Sequence, residues 1–145
     1  MVFQQGCVDL PDEFFLAVGS LDPRKNFRAL VDAYAGLPDD VRHDAPLVVV
    51  GASAASFAST DSGHRAVDGV RFLGRVPDVV LASLYRRASV FVSPSLDEGF
   101  GIPVVEAIRR GTPVLFGGTQ PAAEALVGVG AIDAGGDDEI GRAHV

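Results

Sequence analysis

Short apolar runs alternate along the chain with longer stretches in which apolar residues recur at helical spacing. The apolar runs predict strands at 14–18, 47–50, 70–73, 89–92 and 113–116, with a last short strand near 131–132. The stretches between them predict helices at 26–37, 79–87, 103–110 and 122–127, whereas 52–68, rich in Ala, Ser and Gly, has no clear period. This alternation predicts an α/β fold with a doubly wound, Rossmann-like parallel sheet. Ligands of such sheets bind at the carboxyl ends of the strands.

Length and composition are those of one domain with enough apolar residues to fill a core. The chain has 145 residues, 48% of them hydrophobic, and a net charge of −7. That charge argues against a nucleic-acid or anionic-membrane surface, which needs a basic footprint. Cys7 is the only cysteine, so no intrachain disulfide forms and a reducing, cytoplasmic compartment is predicted. No apolar run approaches membrane-spanning length, and attachment to a membrane through segments outside this sequence stays open.

The stretch 97–107 places two carboxylates, Glu98 and Glu106, eight residues apart around a glycine-rich turn. A predicted strand precedes it, and Pro103 suits the first turn of a helix, where a missing N–H costs little. We therefore expect Glu98 in the loop after a strand and Glu106 inside the first turn of the helix, facing back toward that loop. Free amides at a helix N-terminus favour phosphate, and carboxylates accept hydrogen bonds from sugar hydroxyls. A nucleotide sugar combines both groups.

A second candidate is the pair Arg24 and Lys25, between the first predicted strand and the first predicted helix. Lys25 is the only lysine in the chain. An ordinary solvated pair would be poorly placed here, because cations oppose the helix dipole at an N-terminus. The misfit favours an anionic ligand.

These segments resemble a known family. Glu98-Gly99-Phe100-Gly101-x-Pro103-x-x-Glu106-Ala107 is similar to the donor-site signature of retaining glycosyltransferases of family 4, which have the two-domain GT-B fold. Segments 19–26, 70–76 and 111–114 resemble further motifs of the same family, in the same order, so the likeness spans roughly 14–133. The resemblance implies that the chain is the C-terminal, donor-binding half of a GT-B enzyme.

The resemblance also implies roles for individual residues. Lys25, supported by Arg24 or its backbone, would hold the donor diphosphate, Glu98 would contact the donor sugar, and Glu106 would contact the ribose. The resemblance also implies that backbone amides lie near the phosphates, those of Gly99, Phe100, Gly101, Ile102 and Val104. It further implies that Arg75 and Val76 form a wall of the base pocket. No metal is expected, since the chain has no Asp-x-Asp and its histidines show no metal-ligand spacing.

The partners follow from the same resemblance. The donor is a nucleotide sugar, and the form Pro23-Arg24-Lys25-Asn26 resembles mannosyltransferases of polysaccharide synthesis, which favours GDP-mannose. The acceptor site belongs to an N-terminal domain or partner subunit that this sequence does not supply, and a helix predicted from 137 stops early, so the isolated chain is expected to be inactive. Self-association through an uncovered cleft wall stays open.

Two alternatives compete with this interpretation. The chain is instead a catalytically silent nucleotide-binding or interaction module if no acceptor domain ever joins it. A dinucleotide-binding oxidoreductase domain is disfavoured, because its fingerprint needs a third glycine where Val104 stands.

Overall fold

The computed structural model describes residues 9–60, 66–97, 101–118, 120–128 and 130–133. Its strands are β1 Phe15–Val18, β2 Leu47–Val50, β3 Val70–Gly74, β4 Val90–Ser93, β5 Val114–Phe116 and β6 Ala131–Asp133. Its helices are α1 Phe27–Ala35, α2 Asp39–Asp44, α3 Ala54–Thr60, α4 Asp78–Arg87, α5 Ile102–Arg109 and α6 Pro121–Glu124, with a 3-10 turn at Pro23–Lys25. In this part of the chain, none of the helices is both long and apolar enough to cross a bilayer.

All six strands run parallel in one sheet, in the order β3-β2-β1-β4-β5-β6. The predicted doubly wound sheet is thereby confirmed. The chain moves outward from β1 to β3, returns through α4 to place β4 beside β1, and moves outward again on the other side. The strand order therefore reverses between β1 and β4, and a crevice opens there at the carboxyl ends of the strands. We call that side of the sheet the carboxyl edge.

Two apolar layers cover the faces of the sheet. One layer joins α4, α5 and α6 to alternate strand residues such as Leu16, Val48 and Phe91. The other joins α1 and α3 to the intervening strand residues, including Ala17 and Val49. All four residues of β2 are buried, as expected for a strand covered on both faces.

The structure adds two short helices that the sequence pattern did not predict. In α3, the Ser53 hydroxyl accepts the Ser56 N–H at 3.0 Å, and Phe57 packs against Phe72 with ring centroids 5.0 Å apart. In α2, the Arg42 guanidinium donates to the Leu37 carbonyl at 3.2 Å. α6 is also shorter than predicted, and the helix predicted from 137 lies outside the described residues.

Candidate functional site

The loop after β1 carries the two predicted cations. Asp22 begins the 3-10 turn by accepting the Arg24 N–H at 2.9 Å, and the Arg24 guanidinium bends back to the same carboxylate at 3.0 Å. These hydrogen bonds from Arg24 lower the pKa of the Asp22 carboxyl from its ordinary value of 3.8. The Arg24 side chain is 75% exposed, and a pair so exposed contributes little to stability. An anionic ligand can therefore redirect the guanidinium at small cost.

Lys25 lies over the end of β1. A Cβ added to Gly19 would come within 3.6 and 3.7 Å of the Lys25 Cδ and Cε atoms, so the aliphatic part of the side chain covers this glycine. The residue is half-buried. The only lysine of the chain is thus at the carboxyl edge, on one side of the crevice, where the sequence predicted it.

Asn26 joins this loop to the one that follows β4. Its backbone is left-handed, with φ 60 and ψ 32, and it both ends the 3-10 turn and begins α1. Its side-chain amide donates to the Pro94 carbonyl at 3.2 Å. Nearby, the Leu96 N–H donates to the Arg24 carbonyl at 2.9 Å. In the sequence, Asn26 stands out only as part of the motif at 19–26. Asparagine after a turn could have signalled the left-handed position, which it tolerates better than most residues.

The other side of the crevice is the N-terminus of α5. Gly101 precedes the helix in a left-handed conformation with φ 72 and ψ 42, and Pro103 occupies the first turn as predicted. Helix geometry provides no acceptor within the helix for the N–H groups of Ile102 and Val104. The Val104 side chain is 1% exposed and packs in the core, so only its amide can serve a ligand, whereas the Ile102 side chain is 60% exposed. Three predicted site residues, Glu98, Gly99 and Phe100, lie outside the described residues.

Glu106 does not occupy the first turn, and that prediction is wrong. The helix begins at Ile102, so Glu106 is its fifth residue. Its carboxylate pairs with Arg110, one turn toward the C-terminus, rather than facing back toward the loop. The Arg110 guanidinium also lies 5.7 Å from the Tyr85 ring centroid. A ribose would have to share Glu106 with this arginine or displace it.

Arg75 and Val76 follow β3, two strands from β1. Gly74 has φ +65; its N–H donates to the Ala52 carbonyl at 3.0 Å, and its carbonyl accepts from Gly51 at 2.7 Å. Arg75 is exposed, and Val76 is half-buried against the core. With neighbouring strands about 4.8 Å apart, this turn is roughly 10 Å from the end of β1. Only an extended ligand reaches both places.

A groove that the sequence did not predict lies beside the loop that carries Arg24 and Lys25, here called the basic loop. Its volume is about 290 Å³, and its lining includes Asp22, Asn26 and the rings of Phe27 and Phe57. Phe57 comes from α3, in a stretch without a clear period, so the sequence pattern contains no usable signal for this groove.

The predicted residues therefore fall into three places along one edge. The β1 loop is bonded to the loop after β4 that leads to α5, the turn after β3 lies farther along the edge, and Glu106 lies one helical turn below it. No group of three His, Cys, Asp or Glu side chains among the residues with a described structure is arranged to hold a metal ion. A metal-independent reaction stays a prediction.

The strand order and the helices on both faces define the class of doubly wound, Rossmann-like α/β domains. Within that class the comparison with known proteins is specific. A family model described as "Glycosyl transferases group 1" matches residues 3–128. The chain belongs to this family of glycosyltransferases.

Relatives and solved structures agree with the family. The chain is 35% identical over 137 residues to O-antigen chain mannosyltransferase B of Escherichia coli, covering 91% of this chain and 35% of that protein. It is 34% identical over 130 residues to O-antigen chain mannosyltransferase RfbU of Salmonella typhimurium, covering 88% and 36%. The crystal structure of WaaG, a glycosyltransferase involved in lipopolysaccharide biosynthesis, superposes with a TM-score of 0.68 at 28% identity, covering 83% of this chain and 33% of WaaG. The domain is thus a GT-B glycosyltransferase domain, and the chain spans about a third of the length of these proteins.

Proposed function

We propose that this chain is the donor-binding half of a retaining, family 4 glycosyltransferase that takes mannose from GDP-mannose. The observation that carries the proposal is the junction at the crevice, where the loop bearing Arg24 and Lys25 is hydrogen-bonded to the loop leading into α5. A cationic loop and a helix N-terminus then face one volume, as a diphosphate requires. Mannose is supported by the two O-antigen relatives, both of them mannosyltransferases.

The chemistry asked of these residues is mainly charge stabilisation. When the sugar leaves, negative charge develops on the nucleoside diphosphate, and Lys25 with the amides of Ile102 and Val104 would stabilise it. In the mechanism that the resemblance implies, the donor phosphate itself helps to deprotonate the acceptor. Glu98 then holds the sugar hydroxyls rather than acting as an acid or base.

The acceptor site falls to a further domain or partner subunit. The chain spans about a third of its relatives, which supports a larger enzyme in which this domain supplies only the donor side. Transfer of mannose by the purified 145-residue chain would contradict this assignment of roles. A cytoplasmic location, where nucleotide sugars are made available, is part of the same proposal.

The test is a calorimetric titration, together with thermal unfolding, in the presence of GDP, UDP, ADP, GDP-mannose and NAD. GDP at ten times its Kd should stabilise the fold by about 1.4 kcal/mol. Lys25→Ala should bind GDP roughly ten- to hundredfold more weakly, because it loses a charge-assisted hydrogen bond to the diphosphate worth about 1.5–3 kcal/mol. Arg86→Ala is the matched control, since it removes one exposed positive charge in the last turn of α4, at the opposite edge of the sheet.

A further variant separates sugar contacts from diphosphate contacts. Glu98→Gln should weaken GDP-mannose binding while leaving GDP binding unchanged, because the proposed contact is to the sugar alone. Preference for NAD would overturn the glycosyl-donor assignment. A chain that binds none of these nucleotides would instead fit a silent module.

A further inference from the structure

Gln120 is a polar side chain buried at the carboxyl edge, and it is 1% exposed. Its Oε1 accepts the Ser93 hydroxyl at 2.7 Å. Its Nε2 donates to the carbonyls of Ser93 at 2.9 Å, Ser95 at 3.2 Å and Gly117 at 2.6 Å. Its backbone N–H donates to the Glu124 carboxylate at 3.1 Å. Both ends of the amide are therefore engaged, and the residue itself is fixed in place.

These bonds tie the exit of β5 to the exit of β4. Gln120 follows β5 and reaches back 25 to 27 residues in sequence to Ser93 and Ser95. The next residue, Leu96, is the one whose N–H donates to the Arg24 carbonyl. A continuous set of contacts thus runs from Gln120 through the β4 loop to the basic loop that carries Lys25.

Only an amide suits this position. Two hydrogens of one nitrogen face three carbonyl oxygens, while the neighbouring oxygen faces a hydroxyl. A carboxylate would present negative oxygen to those carbonyls, and an apolar side chain would leave them without a buried donor.

We propose that Gln120 is a positioning residue of the donor site. It holds the backbone at 93–95, and so sets the distance between the Leu96 amide and the basic loop. The expected effect on nucleotide binding rests on the proposed function, whereas the expected effect on the loop at 93–96 does not. A residue that merely fills the core would stabilise the whole domain without any selective effect on Leu96 or on the nucleotide.

The test compares Gln120→Met with Thr112→Val. Thr112 lies at the other end of β5, is also buried, and donates its hydroxyl to the Tyr85 carbonyl, so its loss removes a buried hydrogen bond away from the site. Hydrogen exchange of the Leu96 amide and titration with GDP are measured on both variants. We expect Gln120→Met to exchange Leu96 at least tenfold faster than Thr112→Val and to bind GDP at least tenfold more weakly.

Equal effects of the two substitutions on Leu96 exchange would overturn the inference. If Gln120→Met does not fold, Ser93→Ala takes its place. It removes only the hydroxyl donated to Oε1, so we expect the Leu96 amide to exchange severalfold faster than in Thr112→Val, and equal exchange in these two variants would overturn the inference. A wild-type chain that binds no GDP would reject the proposed function, and the exchange of Leu96 would still decide the role of Gln120.

Discussion

Gly118 offers a direct test of how tightly the loops at the carboxyl edge fit together. Its backbone is left-handed, with φ +68, and an added Cβ would lie 2.4 Å from the Ser95 carbonyl oxygen and 2.5 Å from that of Leu96. Both oxygens belong to the loop after β4, which leads to the proposed donor site. Gly111 is the matched control, because its φ is +80 but no atom lies within 4 Å of its added Cβ.

The two substitutions share one cost and differ in another. An alanine in the left-handed region costs about 1–2 kcal/mol at either position. At Gly118 the methyl group must also push backbone oxygens outward by about 1 Å to reach ordinary contact, and overpacking of this kind costs about 1–3 kcal/mol more. Gly118→Ala should therefore be the less stable variant by that second amount, which corresponds to a gap in Tm of roughly 3–10 °C.

Circular dichroism during urea and thermal unfolding measures the gap, and a GDP titration measures its consequence. The displaced β4 loop should also weaken GDP binding in Gly118→Ala but not in Gly111→Ala. Equal losses of stability in the two variants, with GDP affinity unchanged, would refute the idea that the loop after β5, which contains Gly118, positions the loop after β4.

Three further predictions concern other contacts of the site. Asn26→Gly should cost about 0.5–1.5 kcal/mol for the lost bond to Pro94, and Asn26→Ala about 1–2 kcal/mol more for left-handed strain; equal losses in urea unfolding would contradict that division. Burial, followed by the Glu106 charge, raises the pKa of Tyr85 from 10.0 to about 12. The neutral phenol therefore favours the folded state below pH 10, and up to about 2–3 kcal/mol should be lost between pH 10 and 12. Tyr85→Phe should flatten this dependence of the unfolding free energy on pH, measured by urea unfolding. Parallel pH dependences in the variant and the wild type would contradict the assignment to Tyr85. Arg110→Ala should leave GDP bound at least as tightly as in the wild type, while Glu106→Gln weakens it about tenfold, as expected for one hydrogen bond to a charged group; tenfold weakening in Arg110→Ala would mean that Arg110 orients Glu106 for the ribose.

The sheet could be predicted because parallel strands buried on both faces are written as uninterrupted apolar runs. The bounds of Leu47–Val50 are predicted to the residue, because the strand is entirely apolar and has no polar residue directly at either end. α3 could not be predicted in the same way. Its sequence of Ala and Ser has little amphipathic pattern, and the helix depends on a cap from Ser53 and on the packing of Phe57 against Phe72, contacts made only after the chain folds.

The residues of the candidate site also differ in whether the sequence alone can locate them. Residues whose role depends on strand order, such as Lys25 at the end of β1 and Gly101 before α5, could be located from sequence because topology alone brings these loops together. The side chain of Glu106 could not, since its direction is set by a competing cation, Arg110, and not by its place in the motif. Motif spacing predicts where a backbone segment lies, whereas a charged side chain takes the nearest satisfactory partner.

The same distinction explains why the sequence alone does not point to Gln120. Sequence motifs point to charged side chains and glycine-rich turns, because these can touch a ligand directly. The loops around the crevice are nevertheless joined by neutral contacts: an amide at Gln120, an amide at Asn26, and a glycine at 118 that admits the neighbouring loop. A neutral donor can sit buried between carbonyls at little cost, whereas a cation there would lose its hydration and compete with Lys25 for the phosphate. Residues that position an anion site are therefore expected to be uncharged, which makes them hard to recognise without the structure.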